Sequence, residues 1–446
     1  MSSGECPFIS WSYLGQSPLA CALLPLSDLA RSVAKPHGAG TPEELSRRYT
    51  SGGWKADRSA LEALSSAETE KDSAAVRAAV EALYRPWLKE SARHFQSAVA
   101  DAPLPSPVKS DRPSGPEDGT CILFTDGLRY DVARYLAELL EGNEVSVDLG
   151  WRFSALPGIT RTAKPAISPL RSLLGPGNGF DAQVSGSKIT AESLRRILRE
   201  AGYEILRGED TGTADGAAWT EFGDLDSIGH NRGWKLTREV WRSVRDLAGR
   251  ISALLEAGWR EVRVITDHGW LLLPAGLPKV ELPEHLTVIR KGRCARLKEG
   301  AKTEQQTVPW SLDPQVSVAV APGIGAYEAG KEYEHGGLSL QECVVPILTV
   351  KPIHAVEPIS ASIESVRWTG LRCRVAVERT LEGATVDLRS RAADPASSLA
   401  RPKTLGPEGT TSLFVEDDRH EGDAVLVVVL GPAGQVLAQT ATIVGG

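Results

Sequence analysis

The sequence predicts an α/β protein: a mostly parallel sheet flanked by helices, with a helical segment before it and a β-sandwich after it. Three observations carry this expectation. Between Thr120 and Lys351 short apolar runs alternate with amphipathic helical patterns, which is how strands buried on both faces of a parallel sheet read. Stretches rich in Ala, Leu, Glu and Arg at helical spacing fill Thr41 to Ala100. Beyond Pro352, short runs of alternating apolar character are separated by Gly, Pro and acidic turns, the pattern of an antiparallel sandwich.

Each element has a local cause. Thr41-Pro42-Glu43-Glu44 is a helix start, with a capping threonine, a proline at the first position and a glutamate three residues on. The amphipathic pattern continues through Leu61 to Val99. Asp101 to Gly119 is proline-rich and polar, which marks a linker or an exposed crossing segment. Cys121 to Phe124 is a buried strand that runs into Asp126, followed by a helix from Arg129 to Leu140. A long amphipathic helix is expected over Trp234 to Glu256, then a second strand over Arg260 to Thr266, which also runs into an aspartate, Asp267. In open sheets of this kind ligands bind beyond the carboxyl ends of the strands, where both aspartates fall. Strands are expected at Ile359 to Val366, Leu371 to Glu378, Ala384 to Leu388, Ser412 to Val415, Ala424 to Leu430 and Val436 to Val444. The expected divisions are 1–118 for the helical region and linker, 119–352 for the α/β domain and 353–446 for the β-sandwich.

Composition bounds the function classes. The chain has 446 residues, enough for two or three domains with cores of their own. Hydrophobic residues make up 41% and charged residues 24%, which excludes a largely disordered chain. A net charge of -7 argues against a surface built to coat nucleic acid and leaves room for a local basic groove. Six cysteines without a C-x-x-C pair suggest neither a zinc knuckle nor a disulfide framework, and fit a reducing cytoplasm. The apolar stretch Leu19 to Leu26 is broken by Pro25 and lacks a basic lead, so no secretory signal is read; no run approaches the roughly eighteen apolar residues of a membrane span. A soluble cytoplasmic protein is expected, and the abrupt amino terminus raises the expectation of a fragment.

Seven residues read together as a site for two divalent cations and a nucleophile: Asp126, Thr160, Asp226, His230, Asp267, His268 and His335. Histidine nitrogen and carboxylate oxygen suit zinc, which keeps a position open for water or substrate in catalytic sites; manganese or magnesium would take more oxygen ligands. Asp226 and His230, four apart, share a face if helical and converge around Gly229 if the segment is a loop. Asp267 and His268 would face opposite ways on a strand, but Gly269 allows a turn that brings both into one crevice. Singly, each has an ordinary reading: Asp126 as a turn or cap residue, Thr160 as a helix cap, His230 and His335 as structural or surface histidines. His37, His94, His285, His354 and His420 lack such company and are read as surface.

The passages D-G-L-R-Y-D (Asp126 to Asp131), L-P-G-I-T-R (Leu156 to Arg161), T-D-H-G (Thr266 to Gly269) and H-G-G-L-S-L-Q-E-C-V-V-P (His335 to Pro346) resemble the PglZ family of the alkaline phosphatase superfamily, associated with BREX phage-defence systems. The resemblance covers about Thr120 to Lys351. It implies an alkaline phosphatase-like fold and a two-metal hydrolase of phosphate esters, a phosphodiesterase or nuclease, with other BREX proteins as partners. Asp226, His230 and His335 would hold one ion; Asp126, Asp267 and His268 the other, with the nucleophile Thr160 bound to it. Two ions about 3.5–4 Å apart stabilise the attacking and leaving oxygens of an in-line displacement.

Thr162 is the alternative nucleophile, and Arg129 and Arg161 are candidates to grip phosphate oxygens. Sulfatases of the superfamily use a modified Cys or Ser in C/S-x-P-x-R; here Thr160 precedes Arg161-Thr162-Ala163, which disfavours sulfate esters. Arg290, Lys291, Arg293, Arg296 and Lys298 form a basic run that would follow a nucleic acid or oligonucleotide backbone, or form a solvated hairpin. Phosphate monoesters, or a largely non-catalytic scaffold role in a defence complex, are the alternative functions.

Overall fold

The structure is a computed structural model describing residues 18–35, 38–67, 69–108, 115–142, 144–353, 361–378, 383–392, 394–406, 408–431, 434 and 436–446. Cys6, His37, His354, residues 109–114 of the expected linker and the first two residues of the strand expected from Ile359 lie outside the described residues.

Six strands form the central sheet: β1 (Thr120–Phe124), β2 (Val145–Phe153), β3 (Tyr203–Leu206), β4 (Ala217–Glu221), β5 (Glu261–Ile265) and β6 (Val344–Pro352). Their spatial order is β2-β6-β5-β1-β4-β3. The pairs β5-β1, β1-β4 and β4-β3 are parallel, and β6 runs antiparallel to both its neighbours. This is the mostly parallel α/β sheet that the alternating apolar runs imply. Strand β1 is buried along its whole length because helices cover both faces. Cys121, Leu123, Val262 and Val264 pack on one face with Val132 and Leu136 of α3 (Tyr130–Leu140) and Val244 and Leu247 of α7 (Val240–Glu256). Ile122, Phe124, Trp219 and Ile265 pack on the other face with Leu194 and Leu198 of α5 (Ala191–Glu200).

Register places the site. In the parallel pair, Phe124 of β1 lies beside Ile265 of β5. Asp126 and Asp267 each follow those partners by two residues, so adjacent strands deliver two carboxylates to one edge. That edge is the carboxyl end of the sheet, where side chains are free of the ladder and can converge.

The helix start at Thr41 forms as its residues require: the Thr41 hydroxyl accepts from the Glu44 N–H at 3.3 Å, the Glu44 carboxylate accepts from the Thr41 N–H at 2.9 Å, and Pro42 opens the helix Pro42–Arg48. The amphipathic run beyond it is two helices, α1 (Trp54–Ser65) and α2 (Glu70–Asp101), the second capped by Thr69. Both pack on the α/β core. Leu61 of α1 joins the core cluster of Leu128 and Trp270, and Phe95 of α2 joins that of Phe153 and Cys343. A buried carboxylate ties them further: Asp57 accepts from the Tyr49 hydroxyl at 2.8 Å, from the Tyr84 hydroxyl and from the Gln341 amide at 3.2 Å.

One expected element is divided. The helix expected from Trp234 begins as a tighter 3-10 segment, Gly233–Arg238, and becomes α-helical only at Val240. Gly233 has a positive φ of 55°, and the Trp234 N–H donates to the Glu332 carboxylate at 3.1 Å; the tighter turn buries Trp234 and Leu236 against the core.

Between Asp267 and His335 the chain builds a four-stranded antiparallel sheet from Thr287–Arg290, Cys294–Leu297, Thr307–Trp310 and Asp313–Val320. Beyond β6, a three-stranded and a four-stranded antiparallel sheet share one core of Val375, Leu388, Leu413 and Val427. No helix among the described residues is long and apolar enough to cross a membrane.

Candidate metal centre

Each element contributes its reactive residue at an end. Asp126 lies just beyond β1, beside Gly127, whose φ of 71° lets the chain turn sharply into α3. Thr160 is the first residue of α4 (Thr160–Ile167), after a cis Leu156–Pro157 bond. Asp226 and His230 lie on α6 (Leu225–Arg232), so the helical alternative holds and their four-residue spacing puts them on one face. Asp267 and His268 follow β5, and His335 follows the short strand Tyr333–Glu334. Gly269 serves by close approach: its N–H donates to the Glu342 carbonyl at 3.1 Å, and a side chain there would meet the Gln341 carbonyl.

These seven residues meet in one place. The His268 Nε2 lies 3.4 Å from Asp126 Oδ1, 3.6 Å from Asp267 Oδ2 and 3.4 Å from the Thr160 hydroxyl. The Asp226 Oδ1 lies 3.5 Å from both His230 Nε2 and His335 Nε2, and those two nitrogens are 3.1 Å apart. The His268 and His335 rings stack at 3.7 Å between centroids, joining the two triads. Ligand atoms of Asp126, Asp267 and His268, and of Asp226, His268 and His335, fall within 4.8 Å of one another.

The donor set fits divalent cations. Asp126 Oδ1 and Asp267 Oδ2 are buried with no hydrogen-bond partner among the described residues, a costly state for a carboxylate unless a cation accompanies it. Burial and the neighbouring Asp267 push the Asp126 carboxyl up to about 8. Burial, with Asp226 adding to it, pushes Asp267 up to about 7. Burial works the same way on Asp226, but His335, His268 and His230 outweigh it and hold that carboxyl below its usual value. Burial lowers both His230 and His335, which keeps their ring nitrogens unprotonated and able to donate lone pairs near neutral pH. Carbonyls orient two of the three rings: His335 Nδ1 faces the Gly158 oxygen at 2.8 Å and His268 Nδ1 the Gly269 oxygen at 3.2 Å. Such outer contacts fix which nitrogen points inward.

A cleft of about 330 Å³ opens beside the centre, lined by Thr160, Arg161, His230, Lys291, Lys331 and His335 among others. Arg161 is half exposed on its rim and pairs loosely with Asp181 at 3.3 Å.

Arg129, expected to grip phosphate, is instead enclosed: it is 1% exposed, forks onto Asp131 at 2.5 and 2.8 Å, and lies over the Trp270 ring at 3.9 Å. Its guanidinium serves the core, because the helix after Arg129 turns its first residues inward. Thr162 is likewise removed as a nucleophile, since its buried hydroxyl donates to the Phe180 carbonyl at 2.8 Å and accepts from Trp310 at 3.1 Å. The basic run is largely structural. Arg293 is buried against Glu342 at 2.7 Å, Arg296 donates to the Gly177 and Gly179 carbonyls, and Arg290 pairs with Glu284, leaving Lys291 to line the cleft.

Two contributors were not singled out in the sequence. The Tyr333 hydroxyl donates to Asp226 Oδ1 at 2.9 Å; its position two residues before His335 was the available signal. Lys164, one turn after Thr160, pairs with Glu221 at 2.8 Å and lies over the Phe124 ring, and its charge opposes the upward push on Asp126 and Asp267.

No protein-family model and no curated protein matches the sequence. Among solved structures, the murine ectonucleotide pyrophosphatase/phosphodiesterase 5 aligns at 10% identity and TM-score 0.36, covering 52% of this chain and 87% of that one. An inactive variant of the murine protein in complex with AMP aligns at 10% and 0.35 over 53% and 88%. The human ectonucleotide pyrophosphatase/phosphodiesterase 5 aligns at 10% and 0.35 over 52% and 87%.

Proposed function

We propose that this chain is a metal-dependent phosphohydrolase that cleaves phosphodiesters, a phosphodiesterase or nuclease, with Thr160 as nucleophile. The observation that carries the reading is the pair of orphaned carboxylate oxygens, Asp126 Oδ1 and Asp267 Oδ2, flanking a histidine nitrogen that sits 3.4 Å from the Thr160 hydroxyl. Asp126, Asp267 and His268 would hold one divalent ion and Asp226, His230 and His335 another; zinc suits the three imidazoles. Such ions supply the positive charge that acidifies a hydroxyl and neutralises phosphate.

The protein's own residues do the rest. Thr160 opens α4; the N–H groups of Thr162 and Ala163 go to the Ile159 carbonyl, and those of Thr160 and Arg161, at the positive end of the helix, favour an anion there. Arg161 and Lys291, on the wall of the same cleft, would hold the non-bridging oxygens. The Thr160 oxygen then attacks phosphorus, a Thr–O–P bond forms and the ester P–O bond breaks with the leaving alkoxide taking a proton. Water attacking the same phosphorus from the vacated side releases phosphate monoester and restores the hydroxyl. On the resemblance of the four passages quoted above, we assign the reaction to phage defence with BREX proteins as partners.

Turnover of bis(4-nitrophenyl) phosphate by protein reconstituted with zinc or manganese tests the reading. Activity that disappears in Thr160→Ala and Asp267→Ala supports it. Metal binding with no turnover of diester, monoester or nucleic acid would leave a scaffold instead.

A further inference from the structure

On the sheet face covered by Ile167 and Leu170, away from the α7 side, a second cleft of about 210 Å³ opens between the sheet and the segment Ile167 to Arg171. Its floor is apolar, formed by Ile122, Ile265 and Ile347 of three neighbouring strands, with Ile167 above. Its other lining residues include Arg152 of β2, Arg171 and the ion pair of Arg263 with Glu117 at 3.0 Å. Arg152 is unusual. Its Nε and Nη2 are shut off from solvent and have no hydrogen-bond partner, and no carboxylate lies within ion-pair distance of it among the described residues. A buried guanidinium with unmet N–H groups, facing a like charge, is among the costlier arrangements a fold can hold. Arg129 and Arg293, by contrast, have Asp131 and Glu342, while Arg250, which also keeps Nε and Nη1 without partners, donates from Nη2 to the Asp210 carbonyl.

The metal centre does not use Arg152. Two links join it to that site: the Asp267 carboxylate attracts its guanidinium without pairing with it, and Ser154, two residues on, donates to the Asp267 carbonyl at 2.6 Å. The cleft therefore offers what a small organic anion needs: a preformed fork for an oxyanion, a second positive charge beside it and an apolar slot for the body.

We propose that this cleft is a second, non-catalytic binding site for a small organic anion, whose carboxylate or phosphate group is received by Arg152 beside Arg171 and whose apolar body lies against Ile122, Ile265 and Ile347. The site is independent of the reading given to the metal centre.

Calorimetric titration of the full chain with benzoate and with phenyl phosphate tests it, and the two probes distinguish a carboxylate from a phosphate ligand. Saturable binding of either is expected, weakened at least about tenfold by Arg152→Met and unchanged by His335→Ala. Arg152→Met alone should leave the thermal midpoint equal or higher, since it removes an unpaired buried charge. Where that variant does not fold, Arg152→Lys serves: it keeps the charge but loses the fork, and binding should weaken severalfold. Failure of both probes to bind overturns the proposal. So does binding that survives the Arg152 substitutions, or that is lost in His335→Ala and so belongs to the metal centre.

Discussion

The imidazoles of His268 and His335 lie face to face, 3.7 Å between centroids and 7° from parallel. Residues 67 positions apart in the chain thus share one stack, with Asp126, Asp267 and Thr160 on one side and Asp226 and His230 on the other. The stack thereby joins the carboxylates of Asp126 and Asp267 to Asp226, His230 and His335, which line a single cleft together with Thr160.

If Thr160 is the nucleophile, Thr160→Ala should lower kcat on an activated diester by about a thousandfold or more, while zinc affinity falls by much less, because the carboxylate and imidazole donors remain. Thr160→Ser should retain measurable turnover. An alanine variant with near-normal kcat would remove Thr160 from the chemistry.

Cation affinity should rise with pH between about 6 and 8, because the carboxyls of Asp267 and Asp126, pushed up to about 7 and about 8, hold protons that a cation must displace. Each displaced proton contributes up to about tenfold per pH unit. The stability of the metal-free protein moves oppositely. A carboxyl whose folded pKa is raised favours the fold when protonated; that contribution is complete below the unfolded value near 4 and is lost as pH rises through 7 to 8. The metal-free thermal midpoint should fall across that window, and Asp267→Asn should flatten the fall. Proton release on zinc binding, read by calorimetry in two buffers, checks the first half, and a midpoint that climbs from pH 6 to 8 would refute the second.

The two arginines should behave differently. Arg129→Ala strands a buried Asp131, and should cost about 3–5 kcal/mol of stability. Arg161→Ala should leave the thermal midpoint within experimental error and raise KM for a diester severalfold, since this side chain is half exposed on the cleft rim. Denaturant unfolding and steady-state kinetics on both variants separate the roles.

Gly229 lies under the ring of Tyr333, where a methyl group would overlap the ring carbons. Gly229→Ala should therefore displace Tyr333 from Asp226 and α6 from the strand Tyr333–Glu334 that leads into His335. We expect zinc affinity to fall by about tenfold or more with far-ultraviolet circular dichroism preserved. Undiminished affinity would mean that the contact between α6 and Tyr333 does not set the ligand geometry.

Much of this was written locally. The Thr41 cap, the apolar runs that become β1 and β5, and the aspartates that end them depend on neighbours a few residues away, so the sequence declares them. The alternation of strand and helix also specifies the mostly parallel sheet, and the spacing of Asp226 and His230 is met by a helix. Arg129 and Arg161 look alike in sequence, each one or three residues from a candidate ligand, yet one is sealed over Trp270 and the other stands at the cleft. Arg152 carried no local mark at all. Its isolation, the stack of His268 on His335 and the hydroxyl of Tyr333 on Asp226 are products of strand register and chain crossing. The chain alone fixed which groups end strands and start helices, through short-range sterics and hydrogen bonding; which of those groups touch, and which charges are left without partners, was decided only when distant segments packed.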